Sequence, residues 1–179
     1  APLFLGSGTI HTDGGKATKG IPYSGSTLVS VISYSGGSGG GGRIAIYCTT
    51  DEFTGVLSSK GGALDDLFYL NSMTEEYKKE TYKVLGSPGT IYHDCGDFKD
   101  TLTIDHGEQR IPHHQYTPIG YGSGTTVALK HLRLFNRAMV EFQTSSSSGS
   151  VTAEIGQLSG DKSGTIHIMP HGVVILSNN

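Results

Sequence analysis

Four aspartates follow one another closely in the middle of the chain, where carboxylates could serve in catalysis or metal binding. They are Asp94, Asp97, Asp100 and Asp105. Enzymes that cleave glycosidic bonds place two carboxyl groups beside the scissile bond, and calcium sites combine several carboxylate oxygens. The loop 94–100 lacks the alternating aspartate spacing of a calcium-binding loop. Because Asp and Gly are ordinary turn residues, we interpret the cluster as a solvated turn, with metal binding and catalysis as alternatives.

Histidines are the second set of candidate ligands, since the chain contains 8 of them. His93, His106, His113 and His114 lie near the aspartates in sequence. A zinc site would normally show a fixed spacing such as His-x3-His together with a further Cys or carboxylate. The adjacent His113 and His114 would point to opposite sides of a strand, so only one could face a given ion. We therefore predict surface histidines and no metal site.

The glycine run 36–42 contains formal matches to two functional motifs. Ser38 is the centre of Gly-x-Ser-x-Gly, and the same run fits the dinucleotide-binding pattern Gly-x-Gly-x-x-Gly. Both motifs require a helix to follow, whereas the next residues, Arg43–Tyr47, predict a strand. We attribute both matches to the abundance of glycine, and we predict no catalytic residue, no cofactor and no enzymatic activity.

Two cysteines, Cys48 and Cys95, are present in the chain. A pair of cysteines in a chain with few charges is more typical of an extracellular bridge than of a catalytic thiol. Each cysteine follows an Ile-Tyr strand end, at 46–47 and at 91–92. Similar positions in successive turns of the chain would bring them into register. We predict a disulfide between Cys48 and Cys95.

Composition restricts the class of fold and the partners. The chain has 179 residues, 27 glycines, no tryptophan, 16% charged residues and a net charge of −3. Charges of neither sign are clustered, so a nucleic-acid interface is not indicated, and no apolar run approaches the ~20 residues of a membrane span. The chain begins at Ala1 without Met, as expected of a processed or excised segment. We expect a single elongated β domain over residues 1–179, secreted or at the cell surface.

Short segments rich in β-branched residues and bounded by Gly or Asp predict an all-β fold. The pentapeptide Ser-Gly-Thr-Ile-His occurs at 7–11 and again at 163–167, with looser relatives at 88–93 and 54–58. The irregular spacing excludes a regular array but permits stacked coils with loops of different lengths. The other predicted strands are 28–33, 43–47, 101–104, 126–129, 132–134, 139–142, 151–155, 165–168 and 173–176.

Residues 64–85 depart from the strand pattern. Their apolar and aromatic residues have a weakly helical spacing, and Thr74 is a suitable N-cap. We predict a short helical insertion here that packs against the β structure.

Several glycine-containing stretches resemble, in this order, the glycine-rich parallel β-helix regions of large secreted and cell-surface structural proteins. They are GSGTIHTDGG at 6–15, GGSGGGGRIAIY at 36–47, FTGVLSSKGG at 53–62 and GSPGTIY at 86–92. The resemblance implies a parallel β-helix used as a scaffold or adhesin, and it transfers no catalytic residue. Strand spacing alone also allows a β-sandwich.

These observations predict a non-enzymatic structural subunit or repeat module of an extracellular filament, appendage or adhesin. Both ends are apolar: Leu3, Phe4 and Leu5 at one, and Val173, Val174, Ile175 and Leu176 at the other. These strands could pair within the chain, or they could join copies of the chain head to tail into a fibre.

The alternative is a carbohydrate-binding or polysaccharide-degrading protein. Five tyrosines could line a sugar-binding groove, although packing is the more common role for such residues. They are Tyr23, Tyr34, Tyr47, Tyr116 and Tyr121. Surface glycans are therefore possible partners, and the hydroxyl-rich stretch 144–150 is suited to O-glycosylation.

Overall fold

The computed structural model describes residues 2–16, 39–62, 67–71, 76–80, 86–107, 116–120, 124–144 and 149–177. These residues form β-strands and one short 3-10 helix at Gly96–Phe98. In chain order the strands are β1 (Leu3–Gly6), β2 (Thr9–His11), β3 (Arg43–Tyr47), β4 (Thr50–Phe53), β5 (Val56–Ser58), β6 (Leu67–Asn71), β7 (Glu76–Glu80), β8 (Thr90–Asp94), β9 (Thr101–Asp105), β10 (Thr117–Ile119), β11 (Thr125–Phe135), β12 (Met139–Phe142), β13 (Val151–Gly160), β14 (Thr165–Ile168) and β15 (Gly172–Leu176). The expectation of an all-β fold is confirmed.

The strands assemble into mixed sheets. The largest sheet has the order β15-β13-β11-β9-β8-β3, and its neighbours run parallel except for the antiparallel pair β8 and β9. A second sheet, β10-β12-β14, is parallel. Two-stranded sheets join β1 to β4 and β2 to β5 in parallel, and β6 to β7 in antiparallel. Two strands that pair in parallel cannot be joined by a tight turn, so a long stretch of chain must connect them.

The first part of the chain contains two layers with a constant offset in sequence. We call residues 2–47 the first layer and residues 49–94 the second layer. The pairs β1–β4, β2–β5 and β3–β8 each place a residue of the first layer beside the residue 47 positions later, which is also the separation of Cys48 and Cys95. Among the described residues, three strands of the second layer therefore lie in register beside three strands of the first.

Two apolar clusters form the core. The larger one lies between the six-stranded and the three-stranded sheets, and the smaller one lies between the strands of the two layers. The larger core contains Leu102, Ile104, Leu129, Leu132, Leu134, Ala138, Val140, Phe142, Val151, Ala153 and Ile155. The smaller core contains Ile44, Ile46, Ile91 and Cys95, with Phe4, Cys48 and Leu57 packed against it.

The segments 126–129 and 132–134, predicted as two strands, belong to the single strand β11. The buried positions of β11 change parity between Leu129 and Leu132, so one strand presents apolar residues to the core on both sides of the change. The pairing to β13 is interrupted at the same place, opposite Gly156. The prediction of two separate strands is therefore wrong here, because the backbone continues as one strand through residues 130 and 131.

The helical insertion predicted at 64–85 is wrong in its described parts. Leu67–Asn71 and Glu76–Glu80 are strands β6 and β7, and they form an antiparallel hairpin in which Leu70 is opposite Tyr77. The run Leu-Phe-Tyr-Leu favours a strand, since aromatic residues have high β propensity and a weak helical period cannot outweigh cross-strand pairing. Thr74, the proposed N-cap, lies outside the described residues.

Candidate assembly edges and polar clusters

The N-terminal edge of the molecule is formed by β1, β2 and β3, and each of them ends its sheet within the described chain. Strand β1 alternates in exposure: the side chains of Leu3 and Leu5 are 51% and 61% exposed. Phe4 points the other way, its ring lying 4.6 Å from that of Phe53 beside the smaller core. The structure therefore divides the predicted assembly residues of this end into an exposed pair and a packed residue.

The C-terminal edge is formed by β14 and β15, which end the three-stranded and the six-stranded sheets among the described residues. Val174 is partly buried against the larger core. The other three predicted assembly residues of this end are exposed, Val173 at 51%, Ile175 at 45% and Leu176 at 54%. An alternating strand at a sheet edge thus carries a row of exposed apolar side chains.

Each terminal strand pairs within the chain along one of its two sides. Strand β1 binds β4, and β15 binds β13. Thr49 also donates its N–H to the Pro2 carbonyl at 2.8 Å. The two edges do not meet in this chain, because β1 and β15 belong to different sheets.

Cys48 and Cys95 form a disulfide, as predicted, with their Cα atoms 4.7 Å apart. Cys48 follows β3 and Cys95 follows β8, at equivalent positions of the two layers. The N–H of Cys48 donates to the Asp94 carbonyl at 3.2 Å, which continues the pairing of the two strands. Cys95 is fully buried in the smaller core, so the bridge lies inside the packing of the layers.

The aspartates occupy the two ends of strand β9 and do not form one cluster. Asp94, Asp97 and Asp100 surround the turn between β8 and β9, whereas Asp105 ends β9. Five residues of strand separate Asp100 from Asp105, or about 16 Å. Asp100 accepts a hydrogen bond from the Tyr92 hydroxyl at 2.8 Å. Asp105 therefore does not share a site with the other three aspartates.

Hydrogen bonds explain the role of Asp105 in its own turn. One of its oxygens accepts from the N–H of Gly107 at 2.8 Å and from the Asn136 side-chain amide at 2.7 Å. Asn136 has a positive φ of 55°, and its N–H donates to Asp161 at 2.7 Å. Aspartate side chains thus join the successive turns that follow β9, β11 and β13.

His93 and His106 lie in different surroundings. The Nε2 atom of His93 is 3.7 Å from a carboxylate oxygen of Asp51, and burial lowers the pKa of His93, with Asp51 acting in the opposite direction. His106 is 1% exposed, neither of its ring nitrogens has a hydrogen-bond partner, and burial lowers its pKa also. The expectation of surface histidines is wrong for His106, which the fold places inside.

No group of three His, Cys, Asp or Glu side chains is placed to hold a metal ion in the described segments. Ser38, His113 and His114 lie outside the described residues, so the structure does not place these three candidates. No described helix has the length and apolar character of a membrane span.

The tyrosines proposed as a sugar-binding groove are dispersed where they are described. Tyr47 is 67% exposed at the end of β3, and its ring lies 5.8 Å from that of Tyr92. Tyr116 precedes β10 and stacks on His167 at 4.7 Å, on the three-stranded sheet. Tyr23, Tyr34 and Tyr121 lie outside the described residues.

Close backbone contacts between glycines of the two layers were missed in the sequence. The N–H groups of Gly86, Gly62 and Gly39 donate in succession to the carbonyls of Gly62, Gly39 and Gly15, at 3.1, 2.8 and 3.0 Å. A Cβ atom on Gly62 would overlap the Gly15 carbonyl oxygen, and one on Gly55 would overlap that of Gly8. The sequence contained a signal for these contacts, since Gly8 and Gly55, and likewise Gly15 and Gly62, have the same separation of 47 residues as the two cysteines.

Comparisons with protein-family models, with curated proteins and with solved structures find no significant match.

Proposed function

We propose that this chain is a non-enzymatic structural module that assembles head to tail into an extracellular filament, appendage or adhesin. In this proposal the stacked parallel strands are a parallel β-helix, and residues 1–179 act as one elongated domain. The outer edge of the first layer is one end of the module, and the edge formed by β14 and β15 is the other.

The observation that carries the proposal is the pair of strand edges at opposite ends of the sheets. Unpaired strand edges are templates for pairing with another chain, and natural monomers usually protect them with charges, proline or bulges. Here the exposed side chains on two of the edge strands are apolar: Leu3 and Leu5 on β1, and Val173, Ile175 and Leu176 on β15. Neither row contains a Lys, Glu or Pro that would discourage pairing.

The disulfide supports an oxidising location. Bridges of this kind persist in secreted and surface proteins and are rare in the reducing cytosol. The proposed partner is therefore a second copy of the chain outside the cell, with surface glycans as further partners of an adhesin.

The test uses two lysine variants, each of which blocks one edge. Leu3→Lys/Leu5→Lys places charges on the N-terminal edge, and Val173→Lys/Ile175→Lys places them on the C-terminal edge. All four side chains are at least 45% exposed, so we expect both variants to fold. In sedimentation velocity the wild type should form concentration-dependent oligomers, and each variant alone should remain monomeric.

An equimolar mixture of the two variants should form dimers that grow no further, because each variant keeps the edge that the other lacks. A variant that dimerises alone would indicate a two-fold contact between like edges and would contradict head-to-tail assembly. A wild type that remains monomeric at millimolar concentration would overturn the proposed function. Circular dichroism of each variant controls for folding.

A second candidate is a carbohydrate-binding module, favoured by the exposed ring of Tyr47. Aromatic rings that lie open on a surface can stack on sugars, and the neighbouring Tyr92 donates its hydroxyl to Asp100. Binding of a neutral or acidic oligosaccharide by the wild type, lost in Tyr47→Ala but retained in Phe98→Ala, would support it. Equal binding by both variants, or none by the wild type, would eliminate it.

A further inference from the structure

We infer that strand β15 of one copy pairs antiparallel with β3 of the next copy, and that Gly8 and Gly15 keep the first layer clear for this contact. The inference rests on the proposed head-to-tail assembly and specifies which strands meet. It assigns a role in assembly to β3, Gly8 and Gly15, which were not among the assembly residues predicted from the apolar terminal segments.

The two strands are the opposite ends of one sheet. In the order β15-β13-β11-β9-β8-β3, the described part of the chain leaves an unpaired side on the first and on the last strand. Both strands have 5 residues. Pairing β15 with β3 of another copy would therefore extend the same sheet from molecule to molecule, whereas β1 belongs to a separate two-stranded sheet.

Side-chain alternation is compatible with such a sheet. On β3, Ile44 and Ile46 are buried in the smaller core while Ala45 is exposed. On β15, Val174 packs inward and Val173 is 51% exposed. Of the antiparallel registers that keep inward residues opposite inward residues, the one that pairs Ile44 with Val174 places Ala45 next to Val173 on the outer face. In this register the exposed Arg43 lies opposite Ile175.

Strand direction is also compatible, because the sheet already contains one reversal of polarity. Strands β9, β11, β13 and β15 are parallel to one another, β8 is antiparallel to β9, and β3 is parallel to β8. A β15–β3 contact between copies oriented alike must consequently be antiparallel. It would repeat between molecules the type of pairing that joins β8 and β9 within one molecule.

The glycines give a second, independent observation. Gly55 and Gly62 of the second layer must be glycine, because a Cβ there would overlap carbonyl oxygens of the first layer. Gly8 and Gly15 are their counterparts 47 residues earlier, the offset of the disulfide. A Cβ on either would meet no described atom within 4 Å, and neither has a positive φ. Packing within the described chain does not require glycine at these two positions, whereas a neighbouring copy on this edge would.

The occupant we assign to this edge is the last layer of a second copy, β14 and β15 with their connecting turn. The contact between the first two layers is the precedent, since it too is made by backbone groups with glycines at the closest approach. Main-chain hydrogen bonds along an added strand provide affinity without a pocket. The exposed apolar side chains of β15 would be shielded from solvent in the same contact.

Cysteine cross-linking tests the strand pair directly. Full-length chains carrying Ala45→Cys and chains carrying Val173→Cys are mixed and oxidised, and covalent dimers are measured by non-reducing electrophoresis. We expect the mixed dimer to exceed either homodimer about tenfold, since facing Cβ atoms in adjacent strands are close enough for a disulfide. The matched control replaces Ala45→Cys with Ala128→Cys, an exposed alanine on the central strand β11.

If wild-type oligomers form but Ala45→Cys gives no more mixed dimer than Ala128→Cys, the β15–β3 pairing is wrong and head-to-tail assembly stands. If the wild type does not oligomerise and no mixed dimer forms, both proposals are wrong.

Two double glycine-to-alanine variants provide a second test, in which thermal stability and the concentration needed for assembly are measured. Gly8→Ala/Gly15→Ala should keep the wild-type thermal midpoint and raise the concentration needed for assembly at least about tenfold, because an overpacked contact costs that much. Gly55→Ala/Gly62→Ala should instead lower the thermal midpoint of the monomer. Assembly of Gly8→Ala/Gly15→Ala at the wild-type concentration would overturn the role of these glycines.

Discussion

At the scale of single residues, the disulfide is the link whose contribution can be stated most directly. It closes a separation of 47 residues and lies beside the smaller core. In the chain-entropy account, a cross-link over a loop of this length stabilises the folded state by about 4 kcal/mol. The bridge therefore supplies a large part of the stability of a layer pair whose apolar core is small.

We predict that Cys48→Ala/Cys95→Ala lowers the free energy of unfolding by about 2–5 kcal/mol. Cys95 is fully buried, so part of this loss is a packing effect. Denaturant unfolding of the wild type with and without reductant separates the effect of the cross-link from the effect of packing, because reduction breaks the bond but keeps the sulfur atoms in the core. An unchanged midpoint after complete reduction would show that the bridge contributes nothing.

His106 provides the pH dependence expected of this fold. Burial lowers its pKa below the ordinary value of 6.5, and both ring nitrogens lack a partner, so the folded state favours the neutral ring. The unfolded chain binds a proton at a higher pH than the folded chain does. Stability from the neutral ring is therefore fully present above about pH 6.5 and is lost as the pH falls.

We predict that the free energy of unfolding of the wild type decreases between pH 7 and pH 5, by at most about 1.4 kcal/mol per pH unit for this histidine. His106→Leu removes the titrating group and should flatten the decrease. His93 and His131, whose pKa values burial also lowers, account for what remains. Equal slopes for wild type and His106→Leu would refute the assignment.

At the scale of elements, strand β12 shows how the larger core is held together. It is the middle strand of the three-stranded sheet, and its alternating burial places Val140 and Phe142 in the core. Phe142 is fully buried. The core between the six-stranded and the three-stranded sheets therefore depends on this one aromatic side chain more than on any single aliphatic neighbour of smaller volume.

We predict that Phe142→Ala lowers the free energy of unfolding by about 3–5 kcal/mol, as large-to-small changes in a packed core do. The matched control is Phe98→Ala in the 3-10 helix, whose ring is 43% exposed and which should cost less than about 1 kcal/mol. Urea unfolding followed by circular dichroism measures both. Similar losses in the two variants would contradict the placement of Phe142.

At the scale of the whole molecule, two cores of unequal size share one sheet. The disulfide belongs to the smaller core, and the larger one has no covalent link in the described chain. The antiparallel pair β8 and β9 connects the two halves. Local opening should therefore begin in the layers when the bridge is removed.

We predict that reduction accelerates backbone hydrogen exchange in β3 and β8 at least about tenfold while β11 and β13 keep their protection. Mass spectrometry of peptides from each strand, before and after reduction, measures the difference. Uniform acceleration of all four strands would show instead that the molecule unfolds as one cooperative unit.

Local sequence determined the strands and the bridge. Arg43–Tyr47, Met139–Phe142 and Thr165–Ile168 were predicted with the bounds that the structure has, because a short run of β-branched residues flanked by turn residues favours a strand wherever it lies. The Cys48–Cys95 pairing followed from matching strand ends. These features depend on neighbours in sequence, so a pattern of residues is sufficient to predict them.

Only the tertiary structure decided which strands meet. The identical pentapeptides at 7–11 and 163–167 lie in different sheets, while Thr9–His11 pairs with Val56–Ser58 of the looser relative at 54–58. Parallel pairing uses backbone groups that every residue carries, so similar side chains are not required of partners. The burial of His106 depends on segments distant in sequence, and the pairing of Leu67–Asn71 with Glu76–Glu80 depends on cross-strand contacts. Local periodicity contains neither.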